Sequence, residues 1–424
     1  MTNYSTLANS LKRGLLNFSK KVSNGFSKPT QKFIADMTFG IISANSCKLT
    51  DVGRMLKEPI ALKKTVERLG RNLSDFSEGE KLTRDYLNTI KPYIGSDTML
   101  LVDAGDVAKS CSPKMEAIGS VYDGSTGKYA DGYWTMGAVA LTDKTQHPIP
   151  VYENLYPCTK QGGLGFRAET ARCIQNLREN FDSNIPRVFD KGFDSGNIIT
   201  DLIKHNEKFI IRANQNRVVV HNGKRSKTND VARGVVCEYE LVFHKKSGKT
   251  ASCKIGITQV TLPNMNNIKL NMVVCKDFSE QEPLILYTNI SETLESIAVR
   301  IVKAYLMRWR IEEFYAFKKQ GLNFEGFRVR SLNSIRNLDL LLTITIGFIA
   351  ILCENGGRIM VELIDASKRI PRTLIFLKKT KFLFYAILDG ITCVLASLRC
   401  GISNLFAPPP RDNQLCFAEV KKMG

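Results

Sequence analysis

Thr98-Met99-Leu100-Leu101-Val102-Asp103 is an apolar run of strand-forming residues that ends in an acid, and Arg187-Val188-Phe189-Asp190 repeats the pattern further along. Around them, Glu116 to Tyr122 and Tyr133 to Leu141 alternate as two more strands, with Gly124, Gly127 and Gly132 marking the turn between them. Phe166 to Phe181 and Asn197 to His205 read as helices, and Lys208 to Arg212 as another strand. Strands that alternate with helices predict an α/β sheet. In such a sheet, ligands collect at the carboxyl ends of the strands, where Asp103 and Asp190 stand. Two carboxylates held close repel unless a cation lies between them, and hard oxygen donors suit Mg²⁺. Taken singly, each acid serves equally well as a cap or turn residue, and Asp106, Asp123, Asp131 and Asp194 compete for the same role.

A third acid lies in Tyr305-Leu-Met-Arg308-Trp-Arg-Ile-Glu312-Glu-Phe-Tyr-Ala-Phe-Lys-Lys319, inside a helix expected from about Thr293 to Gln320. On an ideal helix Tyr305, Arg308, Glu312 and Lys319 fall within roughly 60° of arc, while Glu313 and Lys318 point away. A carboxylate flanked by a phenol, a guanidinium and an ammonium can ligate metal while its neighbours grip phosphate oxygens. The same spacing also describes a solvated face of charge pairs.

Lys plus Arg number 60 against 41 Asp plus Glu in 424 residues, a net charge of +19, with 43% hydrophobic residues. That combination describes a folded, multidomain chain with a polyanionic partner, either nucleic acid or an anionic membrane. The greasy stretch Leu340 to Cys353 is broken by Thr343, Thr345 and Gly347, falls short of a membrane span and reads as a buried core helix. Met1 to Pro29 lacks the apolar centre of a secretory signal, so a cytoplasmic location is expected. Eleven cysteines form no Cys-x-x-Cys pair and read as buried free thiols.

Residues 1–30, basic and without an acid, are expected to form a flexible arm. Helices follow over Phe33 to Ile42, from a cap at Thr50-Asp51 through Leu56, and over Ala61 to Leu73 with Lys63, Lys64, Arg68 and Arg71 exposed. With the polar break at Asn45-Ser46, residues 31–96 fit a helix-turn-helix-like module as well as they fit an ordinary basic bundle. Val235 to Phe243, Ala251 to Leu262 and Ile268 to Cys275 are strand-like, with no helix between them, and suggest an inserted β-domain over 213–283. Leu284 to Asn289 then returns to the α/β unit. Beyond Gly357 lies a basic, apolar helical tail, 356–424, with Pro408 to Pro410 near its end. Its residues Phe376, Phe382, Phe384 and Tyr385 read either as an exposed contact surface or as core.

The spacing Tyr-x2-Arg-x3-Glu-x6-Lys, with Leu101-Val-Asp103-Ala-Gly-Asp106 and Val188-Phe-Asp190-Lys-Gly-Phe193 upstream, resembles bacterial insertion-sequence transposases of the DDE class, in the IS-four group. The likeness runs from about Phe33 to about Phe348. It implies a ribonuclease H-like core over 97–212 and 284–355, interrupted by the β-rich insertion, behind a helical DNA-binding domain. By the same resemblance Asp103, Asp190 and Glu312 would be the metal-binding catalytic triad for two Mg²⁺ ions, with Mn²⁺ as a substitute. Tyr305, Arg308 and Lys319 would bind backbone phosphates of the transposon end. The implied activity is strand cleavage at the terminal inverted repeats of double-stranded DNA and transfer to target DNA, by a homodimer in the nucleoid with no membrane partner. A metal-dependent nuclease without strand transfer, or a transposase-derived repressor, would carry the same residues.

Overall fold

The computed structural model describes residues 4–109, 112, 114–124, 126–142, 144–244, 250–263, 265, 267–277, 282–291, 294–371, 373 and 382–396. Five helices open the chain: α1 (Tyr4–Val22), α2 (Lys28–Ala44), α3 (Leu49–Leu56), α4 (Leu62–Asp75) and α5 (Gly79–Ile90). The expected flexible arm is therefore largely helix. Leu7, Leu11, Leu15, Phe18 and Val22 recur at three- and four-residue spacing, so one stripe of α1 is buried while Lys20 and Lys21 stay outside; Lys12 is itself buried. Phe18 packs on Phe348 with ring centroids 5.4 Å apart. Ser27 caps α2 by accepting from the Thr30 N–H, and α2 ends where Asn45 turns left-handed at φ 49°. Asp51 lies inside the first turn of α3 rather than capping it, and accepts from the Ser46 hydroxyl and from Arg54. Gly40 lets α2 and α3 touch, because a Cβ there would lie 2.4 Å from Val52 Cγ1. Arg68, expected in solvent, instead pairs with Asp36 (3.0 Å) and Glu58 (2.9 Å), which also hold Lys32. Lys63, Lys64 and Arg71 remain exposed on α4.

The centre is a mixed α/β arrangement around one large sheet. Its strands are β1 (Thr98–Ala108), β2 (Gly119–Asp123), β3 (Lys128–Thr142), β4 (Pro148–Tyr156), β5 (Arg187–Phe189), β6 (Phe209–Arg212), β7 (Val218–His221), β8 (Lys224–Lys227), β9 (Tyr239–His244), β10 (Thr250–Leu262), β11 (Ile268–Lys276) and β12 (Leu284–Thr288). They run in the order β2-β3-β1-β5-β6-β12-β11-β10-β7-β8, with β4 on β3 and β9 on β10. The β1–β5 and β5–β6 pairs are parallel, and the other pairs are antiparallel. The β-rich stretch 213–283 thus extends the same sheet through β12 rather than closing on itself. Strand β4, which the sequence reading passes over, carries Pro148 and Pro150 and lies at the sheet margin, where a missing N–H is tolerated.

Helices α6 (Phe166–Asn180), α7 (Gly196–Lys204) and α8 (Thr228–Gly234) connect the strands, and α9 (Leu294–Leu306) and α10 (Trp309–Ala316) follow the sheet. The greasy segment becomes α11 (Leu332–Asn355), longer than expected. By length and composition it could cross a membrane, but 78% of its apolar window is buried inside the molecule. It packs on β4, α2, α4 and α5, with the Tyr86 hydroxyl donating to the Pro150 carbonyl, so the opening helices and the sheet share one core.

The tail also turns inward. After α12 (Gly357–Ser367), α13 (Phe384–Ala396) packs on α12 and α2. Phe382 and Phe384 are buried, and with Tyr385 their rings surround Phe317 at 5.1–6.1 Å, so these three residues are core and not a free contact surface. Phe376 and Pro408 to Pro410 lie outside the described residues. His147 joins the cluster, its ring 5.6 Å from that of Phe384 and its Nε2 accepting from the Leu383 N–H at 3.2 Å. Burial first, then the nearby Arg310 charge, lowers the His147 pKa to about 4. The unfolded chain takes up this proton near pH 6.5, so the contribution of neutral His147 is present above that pH and lost as pH falls toward 4. Urea unfolding should show wild type losing about 2 kcal/mol more than His147→Leu between pH 7.5 and pH 5. Parallel losses in the two proteins would refute the assignment.

Candidate active site

Parallel pairing between β1 and β5 aligns Leu100 with Arg187, Leu101 with Val188 and Val102 with Phe189, and there it stops. The next residue on each strand is an aspartate, so Asp103 and Asp190 emerge side by side, about one strand spacing apart at the backbone. Strand β1 does not end at Asp103, as the sequence suggests, but continues along β3 to Ala108. Asp190 leaves the sheet at once, into a 3₁₀ turn over Lys191–Phe193.

Glu312 reaches the pair from the other side. The expected single helix from Thr293 to Gln320 is broken: α9 ends at Leu306, and tight i→i+3 bonds run from Arg308 N–H to the Tyr305 carbonyl and from Ile311 N–H to the Arg308 carbonyl. After α10, residues Phe317–Gly321 form a π turn. Tyr305, Arg308 and Glu312 still share a face, and that face meets the strand ends. The Tyr305 hydroxyl donates to Asp190 Oδ1 at 2.8 Å. Arg308 touches all three acids: Nη1 to Asp103 Oδ2 at 2.6 Å, Nη2 to Glu312 Oε1 at 2.6 Å, and Nε 3.9 Å from Asp190 Oδ1.

Lys319 does not join this group. It pairs with Asp106 Oδ2 at 2.7 Å and Glu325 Oε1 at 3.2 Å, three residues further along β1. Asp106 is thereby separated from the three-acid cluster, and Asp194 is tied to Arg217 and the Asn214 N–H. Lys318, which points away from the stripe as expected, is 2% exposed and pairs with Glu153 and Asp339. Sequence reasoning missed Tyr315, whose hydroxyl donates to the Asp103 carbonyl at 2.9 Å. Its position three residues after Glu312 was the available signal.

The electrostatics show an excess of negative charge. Burial pushes the Asp103 carboxyl up to about 6; Arg308 opposes this, while Asp190 and Glu312 add to it. Burial also acts on Asp190, but the Lys191 backbone N–H, Arg308 and the Tyr305 hydroxyl outweigh it and hold this carboxyl below its ordinary value. Tyr305 is pushed up to about 12, by burial and then by the Asp190 charge. An all-carboxylate donor set with one guanidinium against three acids has the chemistry of a divalent-cation site. Among the described residues, the acidic group whose ligand atoms all lie within 4.8 Å of one another is a different one, Asp201, His205 and Glu207; the carboxylates of Asp103, Asp190 and Glu312 are spread wider, around the Arg308 guanidinium. Arg178 pairs with both Asp201 and Glu207 there, and Arg187 with Glu207, so cations already occupy that cluster.

Residues 164–348 match the family model described as a transposase DDE domain. The matched segment contains Asp190, Tyr305, Arg308, Glu312 and Lys319, and Asp103 lies before it. Among solved structures, the chain is similar to a piggyBac transposase synaptic complex with hairpin DNA, at 10% identity and a TM-score of 0.46, over 97% of this chain and 83% of that one. On the family match the chain is an enzyme of the DNA transposase class.

Proposed function

We propose that this transposase binds the terminal inverted repeats of an insertion sequence of the IS-four group, cuts a DNA strand at the element's end and joins it to target DNA. The observation that carries the reading is the convergence of Asp103, Asp190 and Glu312 on one guanidinium, at the point where β1 and β5 part. The strand order β4-β3-β1-β5-β6, an antiparallel group followed by two parallel additions, supports a ribonuclease H-like core around them. The exposed Lys63, Lys64 and Arg71 on α4 support phosphate contact by the helix-turn-helix-like block.

Asp103, Asp190 and Glu312 would hold Mg²⁺ or Mn²⁺. Two such ions supply an activated water and charge stabilisation at the leaving oxygen of an in-line displacement. Tyr305 keeps Asp190 aimed at the centre. Arg308 shares the carboxylate oxygens that a metal would take, and its planar fork is suited to grip a phosphate when they are neutralised by cations. With no covalent intermediate required, a freed 3′-hydroxyl can replace water in the same site, which turns cleavage into strand transfer. Two ends cut in concert call for two copies of the chain on DNA.

Glu312→Gln should cut a labelled inverted-repeat end slower by about three orders of magnitude or more while its gel-shift affinity stays near wild type. Cutting at the native rate would sink the site assignment. A pre-cut end incubated with target plasmid should yield joined product, and hydrolysis without joining would leave only a nuclease. Arg308→Met, which strips the acids of their shared cation, should lose about 1–3 kcal/mol in metal-free buffer. Its melting temperature should then rise more steeply with Mg²⁺ than that of wild type. Equal Mg²⁺ responses would argue against metal at these carboxylates.

A further inference from the structure

We infer that Tyr315 and the buried Lys318 are positioning residues: they set the rotation of α10, and so the reach of Glu312 toward Asp103 and Asp190. The inference rests on the reading above that these three acids hold metal. Helix α10 has eight residues, with a tight turn before it and a π turn after it, so its own hydrogen bonds do little to fix its phase. Its carboxylate stands about 6 Å from the helix axis, and a rotation of about 20° would move it by roughly 2 Å. Mg²⁺ demands near-ideal octahedral geometry, so an error of that size removes a ligand.

Two contacts oppose the rotation. The first is the Tyr315 hydroxyl on the carbonyl of Asp103 itself, which ties the helix bearing one acid to the residue bearing another. Bare backbone makes room for it. Gly137 faces Asp103 in the β1–β3 register, and a Cβ there would lie 2.5 Å from the Tyr315 hydroxyl and 2.6 Å from Glu153 Oε2. A Cβ on Gly105 would come within 3.4 Å of the Tyr315 ring. The second contact is Lys318, clamped between Glu153 of β4 at 2.8 Å and Asp339 of α11, with its ammonium 4.7 Å from the Phe324 ring. Within the π turn the two lysines face different ways: Lys318 enters the core and its neighbour Lys319 pairs with Asp106. Helix α10 is therefore pinned to β1, β4 and α11 at its far end, while Arg308 meets the acids at its near end.

The test is Mn²⁺ binding to the full-length, DNA-free protein, followed by electron paramagnetic resonance, with urea unfolding of each variant. Tyr315→Phe keeps the ring and removes only the hydroxyl. It should weaken Mn²⁺ binding by about 10–100-fold with little change in urea midpoint, and cleavage should recover toward wild type at saturating Mn²⁺. Lys318→Met should weaken binding in the same direction where it folds, and Lys318→Arg should restore part of it. Glu312→Gln serves as the reference that must lose Mn²⁺ affinity. If that reference binds like wild type, the metal reading itself fails. If it weakens while Tyr315→Phe follows the wild-type curve, or loses only stability, the positioning role is overturned and the metal reading stands.

Discussion

Mutual repulsion of three carboxylates, relieved by one guanidinium, is the constraint around which this molecule is organised. Asp103, Asp190 and Glu312 arrive from two parallel strands and a helix far apart in sequence, and Arg308 is within ion-pair distance of all of them. A pair of like charges at such a distance would drive the elements apart in a half-buried setting, and burial already drives the Asp103 carboxyl up to about 6. The rest of the fold supplies the opposing force. The β1–β5 register is held by Leu100, Leu101, Val102, Val188 and Phe189, all fully buried, so the aspartates cannot separate without opening the sheet.

The same logic explains why the surrounding polar groups are buried so deeply. Lys318, Glu153 and Asp339 are each 4% exposed or less, and an ion cluster of that kind contributes little net stability compared with apolar packing. Its worth is directional: an ammonium that must satisfy two carboxylates on different elements fixes where α10 ends. Lys109 does similar work beyond the site, donating to the Glu325 and Phe327 carbonyls and so fastening the loop after α10 to the end of β1. The acidic centre therefore sits in a frame tied on both sides by buried lysines.

Much of that centre is legible in the chain itself. An apolar run ending in an acid is a local signal, and it located Asp103 and Asp190, although β1 runs on past Asp103 to Ala108. Residues three, four or seven apart on a helix are also local, and they brought Tyr305, Arg308 and Glu312 to one face. The reading faltered where the outcome depended on remote partners. No glycine or proline marks the break at Arg308, so an unbroken helix was the natural reading, and neither the π turn nor the pairing of Lys319 with Asp106 leaves a local trace. The stripe of α1 was hidden because its buried leucines are spaced among lysines and serines. Phe382, Phe384 and Tyr385 read equally as surface or core because Phe317, their partner, lies far upstream. Prolines in β4 masked a strand that only a margin position permits.

Charge divides in a way the total of +19 does not reveal. The internal ion clusters are rich in acids: Asp36 and Glu58 face Lys32 and Arg68, Glu153 and Asp339 share Lys318, and three carboxylates share Arg308. Among the described residues, many positive charges lie outside these clusters. They are carried by exposed residues such as Lys63, Lys64 and Arg71 on α4, Lys224, Arg225 and Lys227 on β8, and Arg328 and Arg330 in the loop after Lys319. A cationic exterior draws a polyanion from a distance at low salt. On the proposed reading the acidic centre would repel that same polyanion at short range until cations fill it. Attraction at the surface and refusal at the centre would then make divalent metal the condition for close approach, with binding and chemistry governed by different charges on one molecule.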